Sequence, residues 1–197
     1  MKQRGLQAAD GVQFDAVLHE PHGRAICVVL QLHGIAVDMD EGGMFVRLAD
    51  GLAVAGFSVL RLSFRGHGRS SGTDRGMTIA GEMLDLQAAL DHAGQHLVVP
   101  SASGASPLPL SVVAASFGAV PLLLSLPLYR RLPRNVVLWN PVLDLARTFV
   151  RPELSWGRAS FGAQADLLKL AFNDYFLSID GLLKDGSITI PCSLFYC

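Results

Sequence analysis

Charged residues are scarce in this chain of 197 residues, because Asp, Glu, Lys and Arg together make up only 17% of it. The formal net charge is −1, so the chain does not have the strong positive charge that favours nucleic acid or an anionic membrane surface as a partner. Half of the residues are hydrophobic, which suits strands buried on both faces of a sheet. The length allows one well-buried domain and is too short for two comfortable ones.

Long apolar runs are also missing. The first residues lead into polar sequence with no apolar signal core behind them. The longest apolar stretch, residues 119–128, contains Pro121 and Pro127 and is too short to cross a bilayer. The cysteines are few, odd in number and widely spaced, so we expect reduced, buried thiols. These features predict a cytoplasmic protein with no membrane span.

Apolar strand-like runs alternate with helix-like stretches along the chain. The strands are expected at residues 11–20 (an edge hairpin strand), 25–32, 57–62, 110–114, 135–139 and, at the end, 188–197. Helical spacing is expected over residues 44–55, after a Thr78 cap, and over residues 117–126. Residues 101–109 are rich in Ser, Gly and Pro and are expected to form a loop. This alternation predicts an α/β fold with a mostly parallel sheet.

Ser116 lies in the segment Ala114-Ala115-Ser116-Phe117-Gly118, between a predicted strand and a predicted helix. Small flanking residues allow a sharp strand-to-helix turn, which projects a serine hydroxyl out of the sheet. The backbone N–H of Phe117 is expected at a helix N-terminus, where it can stabilise developing negative charge. An isolated serine in such a pattern is more often a helix N-cap, so the nucleophile interpretation depends on the other motifs.

Four motifs, each following a predicted strand, together resemble the α/β-hydrolase family, most of all its lipase, esterase and serine aminopeptidase branches. They are His33-Gly34-Ile35, Arg65-Gly66-His67-Gly68-Arg69-Ser70, the segment around Ser116, and Asn140-Pro141-Val142-Leu143-Asp144. The resemblance implies an α/β-hydrolase fold with a mostly parallel central sheet flanked by helices, ending within the seventh strand. It implies a single incomplete domain over residues 1–197, with a cap or lid insertion over residues 145–184.

The resemblance also implies a reaction and the groups that carry it. Ser116 would be the nucleophile, the N–H groups of Phe117 and Ile35 would form the oxyanion hole, and Asp144 stands where some family members carry the acid. His33 would shape the oxyanion loop. The substrate would be a small or lipid-like acyl ester, thioester or amide, and no metal or organic cofactor is implied.

Several polar and aromatic residues have two interpretations each. His92 and His96 have metal-ligand spacing on one helical face, but no third ligand accompanies them, and a favourable contact with the helix dipole is expected instead. His67 is expected to be a turn residue. Asp38, Asp40 and Glu41 could meet a cationic substrate group, although a solvated loop is the expected explanation. The aromatic residues of the insertion fit either an apolar acyl pocket or ordinary helix packing: Phe149, Trp156, Phe161, Phe172, Tyr175 and Phe176.

No histidine follows Ser116, because all six lie between positions 19 and 96. A serine hydroxyl needs a base to become a good nucleophile, and the family supplies a histidine after the acid, beyond the seventh strand. We therefore expect these 197 residues to be catalytically inactive. We also expect them to come from an interrupted or partial reading frame and not to be a functional short form. The alternative is a non-catalytic remnant or pseudoenzyme that binds a ligand or partner in the cleft. A third interpretation has a separate polypeptide supply the histidine.

Overall fold

The structure, a computed structural model, describes residues 1–101, 104–129, 131–143 and 192–195. Nine strands and three α-helices are formed by these residues. The strands are β1 Lys2–Gln7, β2 Gln13–His19, β3 Cys27–Leu32, β4 Phe57–Leu62, β5 Val98–Ser101, β6 Gly104–Pro107, β7 Leu110–Ala115, β8 Asn135–Trp139 and β9 Cys192–Phe195. The helices are α1 Met44–Val54, α2 Ile79–His96 and α3 Ala119–Ser125. Short 3₁₀ turns occupy Glu41–Gly43, Asp74–Gly76, Ser116–Gly118 and Leu126–Leu128.

Seven of the strands form one sheet in the order β1-β2-β4-β3-β7-β8-β9. β4, β3, β7, β8 and β9 run parallel, whereas β1 and β2 are antiparallel to their neighbours. The parallel pairing of β3 places Leu32 opposite Leu62 on β4 and opposite Ala114 on β7. The segments that follow these strands therefore emerge at one edge of the sheet. The predicted α/β fold with a mostly parallel sheet is confirmed.

Two apolar layers cover the sheet, one on each face. On one face α2 and α3 contribute Leu86, Ala89 and Leu122 to a large cluster with alternate residues of β3 such as Leu30. On the other face α1 places Phe45 and Ala49 against Val29, Val59 and Val113. Alternate residues of one strand point to opposite faces, so the near-continuous apolar runs of β3 and β7 reflect burial on both sides.

The helix boundaries agree with the local signals in the sequence. Gly56, just after α1, has φ +95°, a conformation that glycine adopts without steric cost. The Thr78 side chain caps α2 by accepting a hydrogen bond from the Gly81 N–H at 3.0 Å. Both predicted helix limits are thus confirmed.

Two strand predictions were wrong. Residues 11–20 were expected to form an edge strand, but β1 lies at the edge and pairs with β2, which is interior. β1 carries Lys2 and Gln3 and has no apolar alternation, as suits an edge strand that needs only backbone pairing. Residues 101–109, expected as a loop, contain half of an antiparallel hairpin in which Val98 pairs with Pro107.

An ion-pair network fixes the start of the loop that follows β4. The Arg65 guanidinium donates two hydrogen bonds, at 2.8 and 3.1 Å, to Oδ1 of the fully buried Asp85 on α2, and it also bonds Asp10. The Arg65 N–H donates to Asp85 as well, at 2.8 Å. Burial by itself would lower the pKa of Arg65, but its bonds to Asp10 and Asp85 raise it above its usual range. The loop is therefore held to α2 both by an ion pair and by a hydrogen bond from its backbone.

Glu82, one turn before Asp85, is expected to make stability depend on pH. Burial and the nearby Asp85 raise the pKa of Glu82 to about 8, although Arg65 acts against them, and one carboxyl oxygen finds no hydrogen-bond partner among the residues that the structure describes. The folded protein keeps this proton while the unfolded chain releases it above the ordinary glutamate pKa of 4.5, so stability falls as pH rises from about 4.5 to 8. Glu82→Gln removes this cost and should raise the free energy of unfolding by about 2–3 kcal/mol at pH 7, with a much smaller gain at pH 5. Urea unfolding at the two pH values measures the difference.

The control for that experiment is Glu20→Gln, which makes the same chemical change at an exposed position paired with Lys2. This variant should change stability little at either pH. A gain from Glu82→Gln that is equal at pH 5 and pH 7 would show that the carboxyl is ionised in the folded protein.

Candidate active site

Ser116 occupies a strained turn between β7 and α3. Its φ is +48°, in the left-handed region that residues with a side chain rarely adopt. The residues on either side, 112–115 and 117–123, are buried, whereas Ser116 itself is partly exposed. The turn therefore holds the hydroxyl-bearing side chain at the surface while its neighbours are packed in the core. This is the geometry expected of a nucleophile elbow.

Two glycines allow the backbone to approach this turn closely. A Cβ added to Gly118 would lie 2.5 Å from the His33 carbonyl oxygen and 2.7 Å from that of Leu32. A Cβ added to Gly34 would lie 3.0 Å from the Ser116 Cβ and 3.5 Å from its Oγ. The segment after β3 is thus packed directly against Ser116, and the start of α3 is packed against the end of β3.

His33 fixes the peptide that follows it. Its Nε2 accepts a hydrogen bond from the Phe64 N–H at 2.9 Å, so its Nδ1 carries the proton and donates to the Gly34 carbonyl at 2.6 Å. The Gly34 carbonyl and the Ile35 N–H belong to the same planar peptide and point in opposite directions. Burial, followed by the neighbouring His67, lowers the pKa of His33 to about 3, so the ring stays neutral. Both ring nitrogens of His33 are therefore engaged by backbone groups, one in the loop after β3 and one at Phe64.

Charged and polar side chains hold the rest of the loop after β3. The buried Arg61 on β4 donates to the Met39 carbonyl at 3.0 Å, pairs with Asp40 and donates to His19 Nε2 at 3.0 Å. Ser63 accepts from the Met39 N–H at 3.1 Å. Burial, then the Arg61 charge, lowers the pKa of His19, which suits a neutral ring that accepts from Arg61.

Glu41 reaches back to the start of the same loop. Its Oε2 accepts a hydrogen bond from the Gly34 N–H at 2.7 Å. Burial raises the pKa of Glu41, while the Gly34 bond lowers it and Asp38 raises it further. Asp38 accepts from the Asp40 N–H at 2.9 Å. The loop was expected to be solvated: Asp40 is exposed, as expected, but also pairs with Arg61, whereas Glu41 is only partly exposed and bonds Gly34.

Backbone strain is concentrated at the edge of the sheet where Ser116 lies. The residues other than glycine with positive φ in the described ranges are Ala36 (+61°), Glu41 (+46°), Ser116 (+48°) and Asn140 (+45°). Ala36 and Glu41 are in the loop after β3, and Asn140 directly follows β8. Such conformations persist only where the surrounding structure enforces them, and they cluster at functional sites.

A pocket of about 630 Å³ opens beside this edge, between the loops that follow β3 and β4. Asp38 lines one side, and His67 and Asp74 line the other. The His67 Nδ1 donates to the Arg65 carbonyl at 3.0 Å, and burial lowers the pKa of its ring. His67 is thus held within the turn, as the sequence predicted.

Of the residues predicted for the site, Phe117 adjoins Ser116 in the chain, and Ile35 follows Gly34, which packs against Ser116. The Asn140–Val142 segment also reaches it, because the Val142 N–H donates to the Ser116 carbonyl at 3.0 Å. Asp144, the insertion over residues 145–184 and its six aromatic side chains lie outside the described residues. His92 is on α2, and in the described ranges no three His, Cys, Asp or Glu side chains are grouped as a metal site would need. None of the helices that the structure describes is long and apolar enough to cross a membrane.

Two residues that shape this edge form contacts that sequence reasoning missed. Arg61 has a visible signal, since it is the one charge within the apolar run of β4, and a buried charge requires partners. Glu41 has no comparable signal, because its bond to Gly34 depends on how the 3₁₀ turn at Glu41–Gly43 folds back.

Comparisons with known proteins agree with this architecture. An esterase of Pyrococcus furiosus superposes with a TM-score of 0.74 at 21% identity, covering 98% of this chain and 69% of the esterase. Est1E from Butyrivibrio proteoclasticus, solved with ferulic acid bound, gives a TM-score of 0.72 at 16% identity, covering 96% of this chain and 76% of that protein. An esterase from Exiguobacterium antarcticum gives 0.64 at 16% identity, with coverage of 96% and 79%. At these identities the likeness establishes the fold.

No curated protein matches the sequence significantly. The family model for serine aminopeptidase S33 matches residues 23–174, which include the segments around His33, His67, Ser116 and Asn140. Because this match spans more than half of the chain and the fold is that of esterases, the protein belongs to the serine aminopeptidase S33 family of α/β-hydrolases.

Proposed function

We propose that this chain carries the nucleophile and oxyanion elements of a serine hydrolase that acts on small or lipid-like acyl esters, thioesters or amides. Ser116 is the nucleophile, and the N–H groups of Phe117 and Ile35 are the oxyanion donors. The observation that carries the proposal is the left-handed φ of +48° at Ser116, in a partly exposed turn with Gly34 packed at its side. The family supports a hydrolase, and the neighbours support an esterase-type fold.

The proposed reaction proceeds through an acyl-enzyme. Ser116 Oγ attacks the carbonyl carbon and loses its proton to a base, the oxyanion is held by the two N–H groups, and the alcohol, thiol or amine leaves. Water then attacks the acyl group and releases the acid. These steps require no metal or organic cofactor. Asp144 is proposed as the acid that orients the base, and a cytoplasmic location remains a prediction.

Catalysis by Ser116 requires a base that accepts its proton. No histidine follows Ser116 in the sequence, and both ring nitrogens of His33 are engaged by backbone. Loss of the histidine in other serine hydrolases lowers kcat by on the order of 10⁶-fold. We therefore also propose a second function, in which the chain alone binds an acyl ligand or a partner at this edge of the sheet without catalysing a reaction.

Labelling with a neutral alkyl fluorophosphonate separates these two proposals. If a base activates Ser116, the reagent should modify Ser116, and Ser116→Ala should abolish the signal in an intact-mass measurement. Ser71→Ala, at an exposed serine outside the strained turn, is the matched control and should label like the parent chain.

A folded protein that fails to label would overturn the catalytic proposal for this chain and favour the binding one. Recovery of labelling when the coding sequence is extended, or when a second polypeptide is added, would show where the base comes from.

A further inference from the structure

The carboxylate of Glu41 and the side chain of Ser116 both lie against Gly34. A Cβ placed on Gly34 would be 3.5 Å from Glu41 Oε1 and 3.5 Å from Ser116 Oγ, so these two oxygens are at most 7.0 Å apart. The other carboxylate oxygen accepts from the Gly34 N–H at 2.7 Å, which keeps the side chain in this place. Glu41 is also held by its backbone, because its N–H donates to the Asp38 carbonyl at 3.0 Å and its φ is +46°.

This carboxylate lacks a neutralising partner in the part of the chain that the structure describes. None of the ion pairs formed there includes Glu41. The Arg47 guanidinium lies near Gly43, 3.3 Å from where a Cβ on that glycine would be, without pairing with Glu41. Asp38, on the same loop, adds negative charge, and burial raises the pKa of the Glu41 carboxyl, as expected for a partly desolvated acid without a counter-cation.

A fixed negative charge close to a nucleophile acts on any charged group that approaches it. Even at the high effective dielectric of a protein surface, the interaction between two unit charges about 7 Å apart changes a rate or an affinity several-fold. Screening by salt weakens the effect only in part at this distance, since the Debye length at 0.15 M is about 8 Å.

We propose that Glu41 is a specificity-determining residue of the Ser116 site, which disfavours acyl groups that carry negative charge near the reacting carbonyl. The proposal rests on the proposed function only in taking Ser116 as the reacting residue. Glu41→Gln is a suitable test, because a glutamine amide oxygen can still accept from the Gly34 N–H while the charge is removed.

The test uses a cysteine as a reporter of local charge, so that it does not depend on a catalytic base. In a Ser116→Cys variant, the new thiol reacts with methanethiosulfonates that carry either a trimethylammonium or a sulfonate group. Reaction at position 116 is followed by peptide mass analysis, which separates it from reaction at Cys27, Cys192 and Cys197. The measured quantity is the ratio of the cationic to the anionic rate constant at pH 8.

We expect Glu41→Gln to lower that ratio by about tenfold, and to lower it less at 1 M salt, where screening is stronger. Glu20→Gln is the matched control, since it makes the same change just after β2, at the opposite edge of the sheet from Ser116. It should leave the ratio unchanged.

A ratio unaffected by Glu41→Gln would overturn the inference, as would an equal fall in the Glu20→Gln control. A neutral methanethiosulfonate measures access to the thiol, so a change in its rate identifies a structural effect of the substitution. Failure of the fluorophosphonate to label Ser116 would count against the hydrolase proposal alone, because the cysteine reporter still measures the charge at this position.

Discussion

Gly118→Ala is expected to destabilise the protein by about 3 kcal/mol or more. The added Cβ would lie 2.5 Å from the His33 oxygen and 2.7 Å from the Leu32 oxygen, both of them backbone atoms at the end of the central strand β3. Backbone atoms cannot rotate away as the end of a side chain can, so β3 and the start of α3 would have to move apart. Overpacking of this kind usually costs about 1–3 kcal/mol, and a backbone clash belongs at or above the top of that range.

Thermal and urea unfolding measure this change, with Gly51→Ala as the matched control. Gly51 is exposed on α1, and a Cβ there would meet nothing within 4 Å. Alanine at that position should stabilise the helix by about 0.5–1 kcal/mol. If Gly118→Ala were as well tolerated as Gly51→Ala, the result would contradict the close contact between the start of α3 and β3.

Asp85→Asn should cost about 3 kcal/mol of folding stability. Asp85 is fully buried and receives bonds from both the side chain and the backbone N–H of Arg65. Asparagine keeps the shape but leaves the Arg65 guanidinium with Asp10, which is about one-third exposed, as its remaining charged partner. Removal of one member of a buried ion pair typically costs about 3–5 kcal/mol, because the other charge stays buried.

The same substitution at Asp91 is the control for this measurement. Asp91 is exposed on the same helix and accepts a hydrogen bond from Gln87 at 2.8 Å. Asp91→Asn should change stability by no more than about 0.5 kcal/mol. A loss at Asp85 as small as that at Asp91 would mean that the Arg65 network contributes little to the fold.

The interior strands and the helix limits were predictable, because burial on both faces requires the apolar runs of β3, β4 and β7. β1 was not predictable from pattern, since an edge strand is stabilised by backbone pairing with β2 and tolerates polar side chains on both faces. The hairpin of β5 and β6 was not predictable from the sequence pattern either. Its residues include Pro100, Pro107 and Gly104, which are turn signals in a sequence, and they form strands here only by pairing with each other.

Some features of the candidate site could likewise be predicted from the sequence, and others could not. The close approach at Gly118 and the exposed turn at Ser116 follow from residue sizes in one short segment, so they could be predicted. The bond from Gly34 to Glu41 and the contacts of Arg61 with Met39 and Asp40 could not be predicted. They join segments whose relative positions are decided by the pairing of β3 with β4 and by the path of the loop between them.

Within the described ranges, the four residues other than glycine that have a positive φ have a consequence for the engineering of this protein. Each holds a conformation that costs on the order of 1 kcal/mol for a residue with a Cβ, so glycine at Ala36 or Asn140 would relieve strain in the folded state. Glycine would also enlarge the set of conformations open to the same loops and loosen the edge that carries Ser116. Thermostability and a rigid site are therefore opposed at these positions, and selection for heat resistance alone would tend to erode the site.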